Sequence, residues 1–421
     1  MRVLVVGSGG REHALVWSLS RSQRVISIDV APGNAGTAEL ATNLPIASDD
    51  IDGLVARARQ VRYDLVVVGP EVPLALGLVD ALQSEGIRAF GPCAAAARIE
   101  SSKAFSKDTM RRYGIRTADY ATLTSHDEAL AYLNDHPAPI VVKASGLAAG
   151  KGAIVCQTDI EAQSAVDRIM LAREFGEAGD EVVIEAFMSG QEVSVLAFCD
   201  GKTVRPMVLS QDHKPAYDGD EGPNTGGMGT YAPAPVLDEP TLQRVVDEVL
   251  QPLVDGMAAD GCPYVGVLYA GLMVEDDDFS VLEFNCRFGD PETQVILPLL
   301  ETDLVDVMEA CIDGRLDQVD LAWSNQSCLC VVMASHGYPN RYHKGYPISG
   351  LQQAAQEPQT MVFHAGTRLD NDAVVTNGGR VLGVTACGDS LQDAMTRAYN
   401  AVGRIEWTGA SYRHDIGAKG L

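Results

Sequence analysis

The chain has 421 residues, of which 46% are hydrophobic and 21% charged, and this composition excludes a wholly disordered protein. Its 32 lysines and arginines face 57 aspartates and glutamates, giving a formal net charge of −25. That balance excludes a general nucleic-acid binder, because neutralising phosphates requires clustered cations. Any phosphorylated ligand must therefore bind in a local cationic pocket, where a metal ion would help.

The cysteines and the apolar stretches indicate a cytoplasmic protein. Nine cysteines are scattered without a CxxC motif, and Cys328 and Cys330 lie in one apolar run. This pattern predicts reduced, buried thiols rather than a disulfide framework or a zinc site. The amino terminus lacks signal-peptide architecture, and the apolar stretch at 263–274 is too short to span a bilayer.

The first hundred residues alternate short apolar runs with helical patterns. The runs fall at 2–6, 25–30, 64–68 and near 88–90, and the helical patterns at 12–19 and 74–84. Alternation of this kind predicts a parallel, doubly wound sheet. Ligands bind beyond the carboxyl ends of such strands, so the turns at 7–10 and 69–71 are candidate binding sites.

The first turn resembles a dinucleotide-binding fingerprint but lacks its third glycine. Gly7 and Gly9 fit the spacing, whereas position 12 is Glu. The turn still offers backbone N–H groups and a helix N-terminus to an anion. A tight turn that binds no ligand is the alternative.

The middle of the chain changes character. A helix is expected after Ser101 or Ser102, which are suitable N-caps. The later pattern predicts helices at 127–133, 159–172 and 242–259, strands at 120–123, 140–143, 153–156, 181–185, 193–199, 203–208, 264–274 and 279–284, and a long functional loop at 210–235. A further domain is expected from residue 328, with strands at 328–334, 360–364 and 380–387 and a helix at 391–405.

The glycine-rich segment 146–152 lies between two predicted strands, and this pattern predicts a hairpin. Its glycines let backbone N–H groups approach phosphate oxygens, and Lys151 adds a positive charge. The spacing does not match GxxxxGK[ST], which excludes a P-loop NTPase. A flexible hairpin that closes over a triphosphate is the favoured interpretation, and a mobile surface hairpin is the alternative.

Three polar residues at the end of the strand at 279–284 form a second constellation. Glu283 and Asn285 point to one face of a strand, and Arg287 has the same parity. A carboxylate and an amide oxygen suit Mg²⁺, which takes few protein ligands plus phosphate oxygens. Arg287 can bind a phosphoryl or carboxylate group through two hydrogen bonds. A solvent-exposed polar face is the alternative.

Two lysines and one acidic strand complete the candidate nucleotide site. Lys143 ends an apolar strand, so its stem is expected to be buried while its ammonium faces a cleft, and Lys103 begins a helix. The strand running out to Glu185, with Glu192 beyond it, suits recognition of a nucleoside through backbone groups and a carboxylate.

Together these segments resemble the glycinamide ribonucleotide synthetase (phosphoribosylamine–glycine ligase) family of ATP-grasp enzymes, over essentially the whole chain. The matching motifs are GSGGREHAL near the start, APGNAGT at 31–37, GPEVPL at 69–74, SSKAFSK at 101–107, VKASGLAAGKG at 142–152, SQDHKPAYDGDEGPNTGGMGTYAPAP at 210–235, LEFNCRFGDPETQ at 282–294 and YRHDIG at 412–417.

The resemblance implies a multidomain α/β and α+β protein. A doubly wound parallel domain would span 1–101, an ATP-grasp domain 102–327 with a mobile clamp at about 122–190, and a small β-rich domain 328–421. The implied reaction joins glycine to 5-phosphoribosylamine with ATP, through glycyl phosphate, in purine synthesis. Mg²⁺ or Mn²⁺ would be the cofactor, neither nucleic acid nor membrane would be a partner, and the chain would be a monomer or weak dimer.

The resemblance also assigns site residues. The implied catalytic residues are Arg287, Asp212 and Lys214, and the implied metal ligands are Glu283 and Asn285. ATP would be bound by Lys103, Lys143, Gly146, Gly150, Lys151, Gly152, Glu185, Phe187 and Glu192. The other substrates would be bound by Gly9, Gly10, Arg11, Glu12, Pro70, Glu71, Asn224, Thr225, Gly226 and Asp290.

Other functions stay open at this stage. Another ATP-grasp carboxylate–amine ligase or carboxylase would share the nucleotide site and differ at the 210–235 segment and the first turn. An NAD-dependent oxidoreductase is disfavoured by the missing third glycine and by the lack of an acidic ribose ligand at the usual offset. A pure binding module would not explain why lysine, glutamate, asparagine and arginine converge.

Overall fold

The computed structural model describes residues 1–148, 151–276 and 278–421. Its amino-terminal part forms a five-stranded parallel sheet in the order β3-β2-β1-β4-β5, as the alternating pattern predicts. The order reverses direction between β1 and β4, so the turns after these strands lie at the switch point of the sheet. The strands are β1 (Arg2–Gly7), β2 (Ser27–Pro32), β3 (Thr42–Asn43), β4 (Leu65–Val68) and β5 (Ala89–Phe90).

Helices connect these strands, and one of them departs from the prediction. The single helix predicted at 74–84 is wrong, because two short helices are separated by Gly77, whose φ of +83° belongs to the left-handed region. The helices of this part are α1 (Gly10–Ser20), α2 (Thr37–Leu40), α3 (Ile51–Val61), α4 (Glu71–Ala75), α5 (Leu78–Ser84) and α6 (Ala94–Ser101).

A small antiparallel sheet follows, in the order β6-β9-β7-β8. The hydroxyl of Ser102 accepts a hydrogen bond from the Phe105 N–H, which caps the helix that leads into this part. β7 and β8 pair antiparallel on either side of the glycine-rich segment, which confirms the predicted hairpin. The elements are α7 (Lys103–Arg112), β6 (Tyr120–Leu123), α8 (His126–Asp135), β7 (Ile140–Ala144), β8 (Ala153–Cys156), α9 (Asp159–Val166) and β9 (Val182–Ala186).

A second antiparallel sheet, in the order β11-β10-β16-β17, forms the other wall of the molecule's central cleft. β10 and β11 pair around the turn at 200–201, as predicted. Its strands are β10 (Gln191–Asp200), β11 (Val204–Pro206), β16 (Val265–Glu275) and β17 (Asp278–Asn285).

The segment 210–235 is not the long loop that its Gly, Pro, Asp and Asn content predicts. It contains β12 (Gln211–Asp212), β13 (Pro215–Tyr217), β14 (Glu221–Asn224) and β15 (Gly229–Ala232), and is followed by α10 (Glu239–Val245) and α11 (Gln251–Ala259). β15 pairs with the strand at Ser327–Ser335, so partners distant in sequence override the local turn composition.

The carboxy-terminal part completes the sheet that β12 and β15 begin. The order is β12-β15-β18-β22-β19, with β23 also paired to β18. The elements are α12 (Thr293–Leu299), α13 (Leu304–Asp313), β18 (Ser327–Ser335), α14 (Leu351–Ala354), β19 (Thr360–His364), β20 (Thr367–Asp370), β21 (Ala373–Thr376), β22 (Arg380–Gly388), α15 (Leu391–Val402) and β23 (Ala410–Ser411).

Two further expectations concern the cysteines and the apolar stretches. All nine cysteines are free thiols, and most of them are buried, as their scattered pattern predicts. Among the helices that the structure describes, none combines the length and apolar character needed to cross a bilayer.

Buried histidines join the first and last parts of the chain. The Nδ1 atom of His13 accepts a hydrogen bond from the His364 N–H at 2.8 Å, so this nitrogen must be unprotonated. Asn34 adds a second link, because its Nδ2 donates to the His364 carbonyl at 2.7 Å. Burial lowers the pKa of His13 to about 3, with a smaller contribution from His364, and burial lowers the pKa of His364 to about 4.

These lowered pKa values predict a pH-dependent stability. An unfolded histidine titrates near 6.5, so below that pH the unfolded chain binds protons that the folded chain rejects. The contribution of these two histidines to the free energy of unfolding is therefore complete above about pH 6.5 and is lost as the pH falls towards 4. His13→Asn keeps an acceptor but cannot titrate, and we expect it to flatten the fall of the urea midpoint between pH 7 and pH 5. The exposed His343→Asn should leave the slope unchanged, and an equal slope in all three proteins would contradict this account.

Candidate active site

A cleft of about 390 Å³ lies between the amino-terminal sheet, the small β6–β9 sheet and the β10–β17 sheet. Seven lysines and arginines and six carboxylates line it, in contrast to the excess of acid over the whole chain. The local cationic pocket expected from the net charge is therefore present. The charged lining residues are Arg11, Lys103, Lys107, Lys143, Lys214, Arg287 and Arg380, with Glu71, Glu100, Asp212, Glu283, Asp290 and Glu292.

Three buried side chains form an ion cluster at one end of the cleft. The carboxylate of Glu185 contacts the ammonium groups of both Lys107 and Lys143, and all three residues are at most 5% exposed. Lys143 also donates to the Leu282 carbonyl at 3.3 Å, which ties it to β17. Burial lowers the pKa of Lys107, although Glu185 raises it, so an anion bound beside the cluster would favour the charged ammonium.

The glycine-rich hairpin borders this cluster. Lys103 Nζ lies 3.4 Å from the Gly146 carbonyl, and a Cβ on Gly146 would stand 2.7 Å from the Ala178 Cα, so close packing explains this glycine. Gly152 lines the cleft, whereas the Lys151 ammonium donates to the Pro339 carbonyl at 2.8 Å. The prediction for Gly150 lies outside the described residues.

The strand β17 delivers Glu283 and Asn285 into the cleft, as their alternation predicts. Burial would raise the pKa of Glu283, but Lys214, Lys143 and Lys103 around it lower that pKa to about 2, so the carboxylate stays ionised. The Oδ1 atom of Asn285 accepts a hydrogen bond from Arg287 at 3.2 Å. A carboxylate and an amide oxygen that face the cleft are the kind of oxygen donors that Mg²⁺ or Mn²⁺ prefers.

Arg287 is held between two carboxylates. Its Nη2 atom lies 3.0 Å from Glu100 Oε1, and its Nε atom lies 3.4 Å from Glu71 Oε2. Burial would raise the pKa of Glu71, but Arg287 and Arg11 hold it below its usual value. Burial raises the pKa of Glu100 despite the arginine beside it. The guanidinium is thus fixed in orientation and remains charged.

A second ion cluster occupies the side of the cleft formed by β12. Lys214 contacts the carboxylate of Glu192 and lies 3.7 Å from Glu283 Oε1, and these acids raise its pKa although burial opposes them. Burial, together with nearby Glu292, raises the pKa of Asp212 well above its usual value, which favours the protonated acid. This side of the cleft therefore holds a fixed ammonium beside a carboxyl group that can carry a proton.

The turn after β1 binds a carboxylate of the protein itself, that of Glu12. Gly9 N–H donates to Glu12 Oε2 and Arg11 Nε donates to Glu12 Oε1, each at 2.5 Å, and Glu12 is 2% exposed. A Cβ on Gly69 would stand 2.1 Å from the same carboxylate, so both switch-point turns close around it. Because the Gly9 N–H already bonds the Glu12 carboxylate, the turn has one donor fewer for the pyrophosphate of a dinucleotide, which is a physical reason against the NAD-dependent alternative.

The far wall is contributed by the segment between β14 and β15 and by the carboxy-terminal sheet. Asn224, Thr225 and Gly226 line the cleft there, and Arg380 of β22 donates to the Asp290 carbonyl at 2.6 Å. Arg380 and Arg11 hold the pKa of Asp290 below its usual value, against the effect of burial.

Family models match the chain along almost its whole length. They describe the N domain of phosphoribosylglycinamide synthetase at residues 1–100, its ATP-grasp (A) domain at 101–293 and its C domain at 328–419. The chain belongs to the phosphoribosylglycinamide synthetase family. The resemblance drawn from the sequence motifs is therefore confirmed.

Individual relatives agree with the family models. The chain is 52% identical to the phosphoribosylamine–glycine ligase of Rhodopirellula baltica over 426 residues, covering 100% of this chain and 98% of the relative. It is 52% identical to the ligase of Allochromatium vinosum over 424 residues, covering 100% and 99%.

Solved structures show the same fold. The crystal structure of phosphoribosylamine–glycine ligase from Thermotoga maritima has a TM-score of 0.86 at 31% identity, covering 99% of this chain and 100% of that one. The biotin carboxylase domain of 2-oxoglutarate carboxylase from Hydrogenobacter thermophilus, solved with MgADP, has a TM-score of 0.75 at 16% identity, covering 98% and 91%. The second likeness concerns the fold alone, and with the first it confirms the predicted multidomain α/β architecture with an ATP-grasp part.

The structure brings most of the predicted site residues into one cleft. Of the predicted residues that the structure describes, eight do not line it: Gly9, Gly10, Glu12, Gly146, Lys151, Glu185, Phe187 and Glu192. Gly9 lines an adjoining cavity, and Pro70 lines the cleft beside Glu71. The Phe187 side chain is 42% exposed, beyond the end of β9.

Sequence reasoning missed several residues of the site. The missed charged residues are Lys107, Glu100, Glu292 and Arg380. Lys107 and Glu292 lie inside the SSKAFSK and GDPE segments already singled out, so a search for charges within those segments would have found them. Arg380 gave no local signal, because only the carboxy-terminal sheet carries it to the cleft.

The role of Glu12 can be tested by removing its charge. Glu12→Gln keeps a carbonyl acceptor for Gly9 but deprives Arg11 of its buried partner, and we expect a loss of stability on the order of 3 kcal/mol. Urea unfolding measures this loss, and the exposed Glu39→Gln is the control. If Glu12→Gln unfolds at the same urea concentration as the control, the carboxylate does not hold the turn together.

Proposed function

We propose that the chain joins glycine to 5-phosphoribosylamine at the expense of ATP, forming glycinamide ribonucleotide, ADP and phosphate through glycyl phosphate. The observation that carries the proposal is that one cleft contains three groups of residues. They are the lysines 103, 107 and 143, the Glu283–Asn285–Arg287 group, and Pro70 and Glu71 at the switch point of the first sheet. Membership of the phosphoribosylglycinamide synthetase family and the names of the full-length relatives support it.

In the first step, a carboxylate oxygen of glycine attacks the γ-phosphorus of ATP. An oxygen–phosphorus bond forms, the bond from the γ-phosphorus to the β-phosphate oxygen breaks, and ADP leaves. Such a transfer needs positioning and charge neutralisation more than covalent help. Lys103, Lys143 and the Gly146–Gly152 hairpin would bind the triphosphate, and Arg287 would hold the transferring group or the glycine carboxylate. Backbone groups at 185–187 would recognise adenine, and Glu192 the ribose.

A divalent cation would be held by Glu283 and Asn285. The ionised carboxylate and the amide oxygen, both facing the cleft, fit Mg²⁺ or Mn²⁺. When bound, the cation supplies positive charge to the phosphate oxygens. Lys214 and Arg287 would add positive charge at the same place, because Lys214 approaches Glu283 and Arg287 approaches Asn285.

In the second step, the amine nitrogen of phosphoribosylamine attacks the carbonyl carbon of glycyl phosphate. A carbon–nitrogen bond forms, the carbon–oxygen bond to phosphate breaks, and the amine proton ends on the released phosphate. Arg11, Glu71, Asp290 and the segment 224–226 would position the amine. Asp212 and Lys214 would supply a proton-carrying acid and a fixed positive charge in the same cleft.

The family resemblance also supports proposals on location, oligomeric state and domain boundaries. We place the chain in the cytoplasm, as a monomer or weak dimer, with the domain boundaries at 101 and 327 and a clamp at about 122–190 that moves when nucleotide binds. Limited proteolysis with and without nucleotide would measure the protection of that clamp.

The reaction is tested by following products. With ATP and a divalent cation, ADP should form rapidly only when both glycine and phosphoribosylamine are present, and slowly with glycine alone. Coupled detection of ADP, together with mass detection of glycinamide ribonucleotide, measures both. ADP release that ignores glycine would mean that the substrate assignment is wrong.

The metal ligands are tested by Glu283→Gln. Loss of the ionised carboxylate should lower kcat by about 100-fold or more while the protein stays folded, because the charge that neutralises the phosphates is no longer anchored. Thermal melting monitors the fold, and Glu275→Gln on the same β16–β17 hairpin is the matched control. Full activity in Glu283→Gln would remove the metal site from the proposal.

A further inference from the structure

Two cysteines lie directly opposite each other on neighbouring strands of the carboxy-terminal sheet. Cys328 of β18 and Cys387 of β22 are partners in an antiparallel ladder, although they are 59 residues apart in the chain. Their Sγ atoms are 3.0 Å apart, and both residues are buried, at 0% and 6% exposure. Neither of these described residues lines the candidate active-site cleft. The fold therefore brings two thiols together outside the site discussed above.

The backbone holds these two side chains at the spacing that a disulfide needs. The Cys387 N–H donates to the Gln359 carbonyl at 3.0 Å, on the side of β19, and the Cys387 carbonyl accepts from Arg397 at 2.6 Å. Because the N–H and C=O of a strand residue point to the same side, Cys387 turns both groups away from Cys328. The Cα atoms of such a non-hydrogen-bonded pair are about 4.5 Å apart. Disulfides span Cα distances of about 4.4–6.8 Å, so a bond can form here with little backbone movement.

The two thiols differ in acidity and in access to solvent. The hydrogen bond with Cys328 lowers the pKa of Cys387 although burial opposes it, and Arg397 lowers that pKa further. Burial raises the pKa of Cys328 well above its usual value. Cys387 also lies two residues before the exposed Asp389. Since the thiolate is the nucleophilic form of cysteine, Cys387 is suited to react first with an oxidant and Cys328 to react second.

We propose that Cys328 and Cys387 form a reversible redox site, which hydrogen peroxide converts into a disulfide that locks β18 to β22. The Cys387 sulfur attacks one peroxide oxygen, so that an S–O bond forms and the O–O bond breaks. The departing hydroxide takes the Cys387 proton and becomes water, which leaves a sulfenic acid. The Cys328 sulfur then attacks the Cys387 sulfur, an S–S bond replaces the S–O bond, and the hydroxyl group leaves with the Cys328 proton as a second water. Two electrons pass from the thiols to the peroxide, and a dithiol reductant returns them to the protein.

The disulfide fixes the centre of the carboxy-terminal sheet and leaves the cleft unchanged. β18 also pairs with β15, and β22 also pairs with β19, so the new bond lies between two inner strands. Arg380, which lines the cleft, begins β22, whereas Cys387 lies one residue before the end of that strand. A cross-link between residues this far apart in the chain stabilises the fold by restricting the unfolded state. The redox site does not depend on the reaction proposed above.

Peptide mapping tests the bond directly. The folded protein is treated with hydrogen peroxide, its remaining thiols are alkylated in urea, and its tryptic peptides are identified by mass spectrometry. We expect a linked pair of peptides that contain residues 328 and 387 and that dithiothreitol separates. Cys387→Ser should lose this pair. The matched control is Cys330→Ser, an equal change at a buried cysteine two residues along β18, and it should keep the pair.

Two results of the mapping would overturn the proposal. One is that peroxide leaves residues 328 and 387 open to alkylation. The other is that it oxidises only the less buried Cys93 and Cys262, which would mean that exposure alone decides which thiols react.

A stability measurement on the unmodified protein serves if a serine variant folds poorly. The oxidised protein should unfold at a urea concentration about 0.5 M or more above that of the reduced protein, because the cross-link restricts the unfolded chain. Dithiothreitol should abolish this shift. An oxidised protein that unfolds at the same urea concentration as the reduced one contradicts the proposed lock.

Discussion

The architecture of the active site depends on one buried carboxylate. Glu185 holds the ammonium groups of Lys107 and Lys143 together at the junction of α7, β7 and β9. Two buried lysines would repel each other without it, and removing one partner of such a cluster leaves an uncompensated buried charge. The Glu283 carboxylate also faces Lys143, so the cations of the cluster lie between acids of β9 and β17. The cluster therefore holds two ammonium groups beside the cleft, in a protein whose overall charge is strongly negative.

Acidic side chains also hold cations elsewhere in the cleft. Arg287 is oriented by Glu71 and Glu100, and Lys214 by Glu192, so these two cations of the cleft are fixed by acids that arise from different parts of the chain. Fixed charges stabilise a changing charge distribution without reorganising, which is the main advantage of a protein site over water. The amino-terminal sheet takes part through Glu71, at the switch point where parallel sheets commonly bind ligands.

The sequence predicted the strands and side-chain faces that depend on residues close together in the chain. Strands such as Tyr120–Leu123 and Ala153–Cys156, and the shared face of Glu283 and Asn285, follow from alternation and turn chemistry within a few residues. The strand β15 could not be found this way, because its partner β18 lies about a hundred residues further along the chain. The contacts of Glu12 could not be predicted for a related reason, since the Gly69 turn that closes around its carboxylate lies far along the chain.

The pairing of β15 with β18 bears on how such enzymes can be recombined. A chimera joined at residue 327 would separate β12 and β15 from the sheet they begin, leaving unpaired strand edges on both fragments. The seam between the nucleotide-binding and carboxy-terminal parts therefore runs through the sheet rather than through the connecting peptide. Transplanted modules would have to carry the 210–235 segment together with the carboxy-terminal strands to remain soluble and correctly folded.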